Sequence, residues 1–155
     1  GFNTSLSWKG FDLSAIFAYS IGGYIYNRDI TMILHNGSLE GRDWSTEILR
    51  RWTPDNRNTD VPALSTTTNN WNSASTRFLQ NNSYMRLKNL TLSYNLPKQW
   101  ISKLSLSSVQ VYVQGDNLFT IHRNQGLDPE QGITGITYYR YPAMRTISGG
   151  INVSF

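Results

Sequence analysis

No cysteine occurs in the 155 residues, so neither a disulfide framework nor thiolate chemistry is available. Charge is scarce as well: Asp, Glu, Lys and Arg make up 15% of the chain, against about 25% in soluble domains. The net charge is +4, but the basic residues are scattered, which excludes the clustered footprint of a nucleic-acid binder. No run approaches the ~18 apolar residues of a membrane helix. That absence leaves a membrane β-barrel open, because alternating strands disperse their hydrophobicity. A mean hydropathy of -0.42 is compatible with such strands.

What is present is aromatic side chains, at 13%, and polarity supplied mostly by Asn, Ser and Thr. A chain that is polar without being charged suits a surface wet on one side only. The last ten residues, TISGGINVSF, carry this pattern most clearly. Ile147, Gly149, Ile151, Val153 and Phe155 share one face at period two, and Thr146, Ser148, Gly150, Asn152 and Ser154 share the other. Ser148, Gly150, Val153 and Phe155 have the spacing of a C-terminal barrel-assembly signal, polar-x-Gly-x-x-apolar-x-Phe. At the other end the chain starts on Gly1 and already reads as strand, so a C-terminal piece of something larger is expected.

Alternation predicts antiparallel up-and-down strands over 1–9, 11–21, 84–96, 109–119 and 144–155. Gly10 permits a tight turn between the first two. In the third, Leu90, Leu92, Tyr94 and Leu96 face one way, and the same parity places Arg86 and Lys88 on the apolar side. Charges there are tolerable only if that end reaches the headgroups. Between strands, 22–83 reads as long and irregular, with one short helix from Asp43 to Trp52. Asp43 or Ser45 caps that helix, and Ile48, Leu49 and Trp52 fall on one side of it. A second polar loop spans 120–142. Loop lengths therefore alternate short and long, the layout of a transmembrane barrel. Five strands cannot close a barrel, whose smallest members have about eight, so the remaining wall must come from elsewhere. The competing classes are a soluble secreted β-sandwich that binds carbohydrate or serves in adhesion, and an enzyme fragment.

Several segments, taken in order, resemble one family: RWTPDNRNTDVPAL, STRFLQNNSYMRLKNLTLSYNLP, VYVQGDNLFT, GLDPE and the terminal GGINVSF. They are similar to the C-terminal part of SusC/RagA-type TonB-dependent outer-membrane transporters. The resemblance implies an all-β chain, the C-terminal part of a plugged transmembrane barrel of about 22 strands, in the bacterial outer membrane. It implies loops 22–83 and 120–142 outside the cell and a SusD-like surface lipoprotein as partner. Barrel-assembly machinery would recognise the last strand, membrane lipid would surround the wall, and a glycan or peptide would be the cargo. TonB would act through an N-terminal plug that, with the front of the barrel, lies outside these residues. Trp8 and Phe11 would then belong to an aromatic belt at the periplasmic interface.

In the loops, Trp44, Trp71, Tyr138 and Tyr139 are candidates to stack on sugars or to fill pockets on the lipoprotein, and Asn69, Asn70 and Arg140 to hydrogen-bond a ligand. The stretch holding Arg51, Asp55 and Asp60 is a candidate lipoprotein contact. Residues of these kinds more often pack a loop onto its own barrel. Asp128 and Glu130 are a close carboxylate pair, but no nucleophile-base set accompanies them and a glycosidase reading has little support. Asp55, Asp60, Asp128 and Glu130 lack the spacing of a calcium loop, and His35 and His122 stand alone, so no metal, cofactor or catalytic role is expected.

Overall fold

A computed structural model describes all residues except 36, 38, 40, 66–72, 127, 131–133 and 138–139, and only the backbone of Leu104. In chain order the elements are β1 (Phe2–Trp8), β2 (Phe11–Ser20), β3 (Tyr24–Asn27), α1 (Arg28–Ile33), β4 (Leu79–Asn81), β5 (Tyr84–Asn95), α2 (Lys98–Ile101), β6 (Ser108–His122), β7 (Ile136–Thr137) and β8 (Thr146–Ser154). They fall into two compact units. The first comprises Gly1–Gly22, Asn82–Arg123 and Pro142–Phe155, and the second Gly23–Asn81 and Asn124–Tyr141.

The first unit is one five-stranded sheet in the order β1-β2-β5-β6-β8, every neighbour antiparallel. Lys9 and Gly10 join β1 to β2 with positive φ at both positions (46° and 88°), as two-residue type I′ turns require. Directly opposed residues in antiparallel strands share a face, so the register assigns every side chain to a side. One side carries the rows Leu6–Leu13–Leu92–Val113 and Trp8–Phe11–Tyr94–Val111–Ile151. The other carries Ser5–Ser14–Thr91–Gln114–Ser148 and Ser7–Asp12–Ser93–Tyr112–Gly150.

A staggered irregularity interrupts this grid. Lys88 has no partner in the ladder to β2, where Ile16 faces Asn89 and Phe17 faces Leu87. Against β6 the same interval holds Asn117 and Leu118, with Asn117 at φ 51°. From one apolar row to the next, β2 runs from Ala15 to Phe17, β5 from Leu90 to Leu87, and β6 from Gly115 to Phe119. Each successive strand spends one residue more, which bends and twists the ladder. On β5 the extra residue inverts the parity. Beyond it Leu87 and Met85 lie in the apolar rows, while Arg86 lies opposite Ala18 and Thr120 in the polar set. The placement of Arg86 on the apolar side, predicted by simple alternation, is therefore corrected by the bulge at Lys88. Arg86 is buried, and its Nε donates to Thr120 Oγ1 at 2.8 Å.

In the second unit, the stretches expected to be irregular contribute a three-stranded sheet, β4-β3-β7, in which β3 and β7 run parallel. Tyr26 N donates to Gly135 O at 2.7 Å beside that pair. Asn27 caps α1, its Oδ1 accepting from Ile30 N at 3.1 Å, and its Nδ2 donates to Gln125 O. Ile25, Leu34, Ile48, Val61 and Phe78 are buried in this unit, as is His35. The helix expected from Asp43 to Trp52 is a single 3-10 turn, Thr46–Arg50, capped by Ser45 and not by Asp43. Its one buried residue is Ile48, whereas Leu49 and Trp52 are exposed. The turn ends at Arg50, so Trp52 lies beyond it, and Leu49 stands a third of a turn away from the buried Ile48.

Candidate functional site: a one-sided wall and its loop unit

Between the short turn and the bulge, the two faces of the sheet differ in chemistry. On the apolar side large side chains are open to the surroundings: Leu13 is 40% exposed, Leu92 43%, Val113 48% and Ile151 64%. With Leu6 and Trp8 of β1, these rows stand unburied across five strands, too large a patch for an ordinary soluble surface. The opposite side is knitted by polar side chains. Asn95 Nδ2 donates to Asp12 Oδ2 at 2.7 Å, and Ser7 Oγ donates to Asp12 Oδ1. Asn89 Nδ2 donates to Asp116 Oδ1 at 2.8 Å, and Gln114 Nε2 reaches both oxygens of the same carboxylate at 3.2 Å. Asn152 Nδ2 donates to Gln110 Oε1, whose Nε2 donates to Ser93 Oγ. Amides and hydroxyls converge here on two carboxylates, Asp12 and Asp116, and otherwise on one another, so this face needs few charges.

The ends of the grid are also distinct. At the short-turn end Trp8 and Phe11 are exposed, Lys9 Nζ sits 4.9 Å from the Trp8 ring centroid, and Phe11 stacks on Tyr94 with centroids 4.4 Å apart. Trp100 on α2 is exposed too. At the opposite end Ser20, Tyr84 and His122 lie in one register, and the chain leaves or re-enters the sheet unit there on its way to every long connection.

The assembly-signal residues occupy β8 and its end. Ser148 and Gly150 lie on the polar side opposite Gln114 and Tyr112. Val153 lies on the apolar side opposite Val109, and Phe155 is 92% exposed. The Tyr112 ring lies over Gly150: a Cβ added there would stand 2.7 Å from its Oη and 2.8 Å from its Cζ. Alternation gives no hint of this pairing, which depends on the register between two strands about 40 residues apart in sequence.

Within the loop unit, the stretch from Arg50 to Asp60 is a tied turn. Trp52 N donates to Val61 O at 2.8 Å, Asn56 Nδ2 donates to Arg50 O at 2.9 Å, and Arg57 Nε donates to Pro54 O at 2.9 Å. Asp60 pairs with Arg50 at 3.7 Å and with Arg77 at 3.8 Å, and Arg77 Nη1 also donates to the Asp60 carbonyl. Exposed pairs of this type contribute at most about 1 kcal/mol each. Arg50, Asn56 and Asn58 help line an open cleft of about 500 Å³ against this turn. Asp55 is exposed near the tip, and Arg51 is half-buried, its carbonyl accepting from Asn56 Nδ2. Trp44 stands edge-on to His35, with centroids 5.0 Å apart, so it packs within its own unit while keeping part of its ring exposed. Asp128 Oδ1 accepts from Glu130 N at 3.0 Å, a turn-forming contact. Arg140 is exposed. Asn69, Asn70, Trp71, Tyr138 and Tyr139 lie outside the described residues. Among the described residues, no group of three or more His, Asp or Glu side chains is arranged to hold a metal ion. Asn27, Arg77 and Trp100 escaped the sequence reading. Of these only Asn27 had a signal, as a capping residue two positions before Asp29.

An up-and-down sheet with one exposed apolar face and one hydrogen-bonded polar face is wall from a transmembrane β-barrel. No family model matches the chain. Among curated proteins, TonB-dependent receptor P3 of Formosa agariphila is 35% identical over the whole chain, which spans 16% of that receptor. TonB-dependent receptor SusC of Bacteroides thetaiotaomicron is 27% identical over the whole chain, here 15% of the receptor. The solved RagAB peptide transporter superposes with a TM-score of 0.87 and 34% identity over 99% of this chain and 17% of the transporter chain. The chain belongs to the TonB-dependent receptors of the SusC/RagA type, as a segment of their outer-membrane barrel.

Proposed function

We propose that this chain is the C-terminal stretch of the barrel wall in an outer-membrane, TonB-dependent importer of oligosaccharides or peptides that works with a SusD-like surface lipoprotein. The observation that carries the proposal is the two-sidedness of the sheet: apolar side chains stand in the open on one side while amides, hydroxyls and two carboxylates hydrogen-bond on the other. Hydrocarbon suits the first and a wet lumen the second. The loop unit then faces outward, and the Lys9–Gly10 turn and α2 face the periplasm. Its turn around Arg50 to Asp60 and its partly exposed Trp44 offer a surface to the lipoprotein or to cargo. Peptide as cargo is favoured by the likeness to a peptide transporter, and glycan by the likeness to SusC.

In cells, the full-length receptor is expected in the outer-membrane fraction as a heat-modifiable band. It should co-purify with a surface lipoprotein, and its deletion should abolish growth on one class of glycan or peptide. Recovery of the receptor in the soluble fraction would overturn the proposal. Purification without any lipoprotein, under conditions that keep the barrel folded, would remove the partner from it.

A further inference from the structure

The turn between Arg50 and Asp60 borders a cleft of about 500 Å³, a size within the range of about 300–1,000 Å³ usual for ligand sites. Arg50, Asn56, Arg57, Asn58, Thr59 and Asp60 line it, and none of them is apolar or aromatic. Its frame is tied from within. Asn56 N donates to the carbonyl and the Oγ1 of Thr53, each at 3.0 Å, and Asn56 Nδ2 donates to Arg50 O at 2.9 Å and Arg51 O at 3.2 Å. Thr59 Oγ1 accepts from Val61 N at 3.2 Å. Of the charged lining residues, Arg50 stands 3.8 Å from Glu47 and 3.7 Å from Asp60, and Asp60 also faces Arg77 at 3.8 Å. Arg57 differs. Its Nε donates to Pro54 O at 2.9 Å, which restrains the guanidinium and leaves its end-on edge, Nη1 and Nη2, for another acceptor. Among the described residues Arg57 enters no ion pair, and both it and Asn58 are exposed. Asp55, two positions back, is not part of the lining.

We propose that this cleft takes an acidic peptide, one carboxylate of which lies end-on against Nη1 and Nη2 of Arg57 while the Asn58 amide pairs with the peptide backbone. The inference rests on the outward placement of the loop unit given under the proposed function, and it narrows the cargo named there. Three features select this occupant. The lining carries two guanidiniums against one carboxylate, and that carboxylate is already shared between Arg50 and Arg77, so the open charge is positive. A guanidinium grips a carboxylate through two parallel hydrogen bonds, and a restrained fork makes that grip specific. A sugar ring has an apolar C–H face that needs an aromatic or aliphatic floor, which this lining does not supply. An extended peptide instead presents amides and carbonyls that an asparagine matches.

The test titrates the purified full-length receptor by calorimetry with a short peptide of alternating Ser and Glu, amidated at its C-terminus. The comparison probes are the same peptide with Gln for Glu, that Gln peptide with a free C-terminal carboxylate, and an oligogalacturonate. A carboxylate-bearing peptide should bind about tenfold above the amidated Gln peptide, and the better of the two identifies a side-chain or a terminal carboxylate as the anchor. Arg57→Gln should erase that difference without weakening the amidated Gln peptide. Arg57→Glu should turn the preference toward a Ser/Lys peptide, a gain that a misfolded variant does not give. Equal binding of the three peptides, or full retention by Arg57→Gln, overturns the inference. Oligogalacturonate binding that depends on Arg57 does so too, since the occupant is then a glycan. Placement is checked with an Asn58→Cys variant in a receptor free of other cysteines, labelled on intact cells with an impermeant maleimide. The Ser/Glu peptide should slow that labelling. Labelling that the peptide does not slow sinks the cleft site alone. No labelling sinks the outward placement and the inference with it.

Discussion

Replacing Gly150 by Ala should destabilise the barrel wall when Tyr112 is present and stabilise it when Tyr112 is gone. The new Cβ would stand 2.7 Å from Tyr112 Oη, 2.8 Å from Cζ and 2.9 Å from Cε1. That is about 0.7 Å short of ordinary van der Waals contact. The ring must swing off its seat, and overpacking of this kind costs about 1–3 kcal/mol. Against it stands the backbone term, since Ala in a strand is favoured over Gly by about 0.5–1 kcal/mol. The net for Gly150→Ala in the native background is a loss of up to about 2.5 kcal/mol. In a Tyr112→Ser background the clash vanishes and only the backbone term survives, so the same substitution should gain about 0.5 kcal/mol. The coupling energy of the cycle, about 1–3 kcal/mol, is the quantity to measure. Urea unfolding of the full-length receptor in lipid vesicles, followed by tryptophan fluorescence, gives all four corners. An equal cost in both backgrounds would refute the ring-over-glycine reasoning and leave recognition of the last strand by assembly machinery as the reason for Gly150.

Leu92→Arg, in the middle of the apolar rows between Leu13 and Val113, should cost about 2–4 kcal/mol in vesicles; Thr91→Arg on the polar side should cost far less, and equal losses would contradict the two-sided assignment. Inserting an Ala after Lys88 should be much more harmful than deleting Lys88, because insertion with the bulge kept moves Arg86 to the apolar side, whereas deletion straightens β5 with Leu87 still apolar and Arg86 still on the polar side; outer-membrane levels of the two variants decide it. Asn27→Ala should loosen the loop unit by about 1–3 kcal/mol through its lost cap and lost bond to Gln125 O, seen as faster amide exchange around Ile30 with the sheet amides unchanged. Val153→Ser with Phe155→Ser should lower the yield of heat-modifiable receptor; an unchanged band would count against the terminal assembly signal.

The sheet was legible because its code is local. Phe11, Leu13, Ala15 and Phe17 alternate with Asp12 and Ser14, and no distant contact is needed to assign them to faces. The bulge was not legible, since Arg86, Leu87 and Lys88 alternate plausibly in either parity. Only the demand that Leu87 meet Phe17 and Phe119 selects one. The loop unit was hidden for a related reason: β3, β4 and β7 are two to four residues long, shorter than any period can register, and they pair across large separations. Its candidate residues were found by type, and the structure gives several of them local duties. Asp60 holds Arg50 and Arg77, Asp128 closes a turn on Glu130, and Trp44 leans on His35.

Because β3 takes β4 on one flank and β7 on the other, the two long excursions make a single folded object that the chain enters twice. A chimera that borrows only the first from a relative inherits a central strand whose parallel neighbour was shaped for someone else. Under the proposed function, cargo preference should therefore travel with both inserts as one cassette, and drift in either should be held in step by the other.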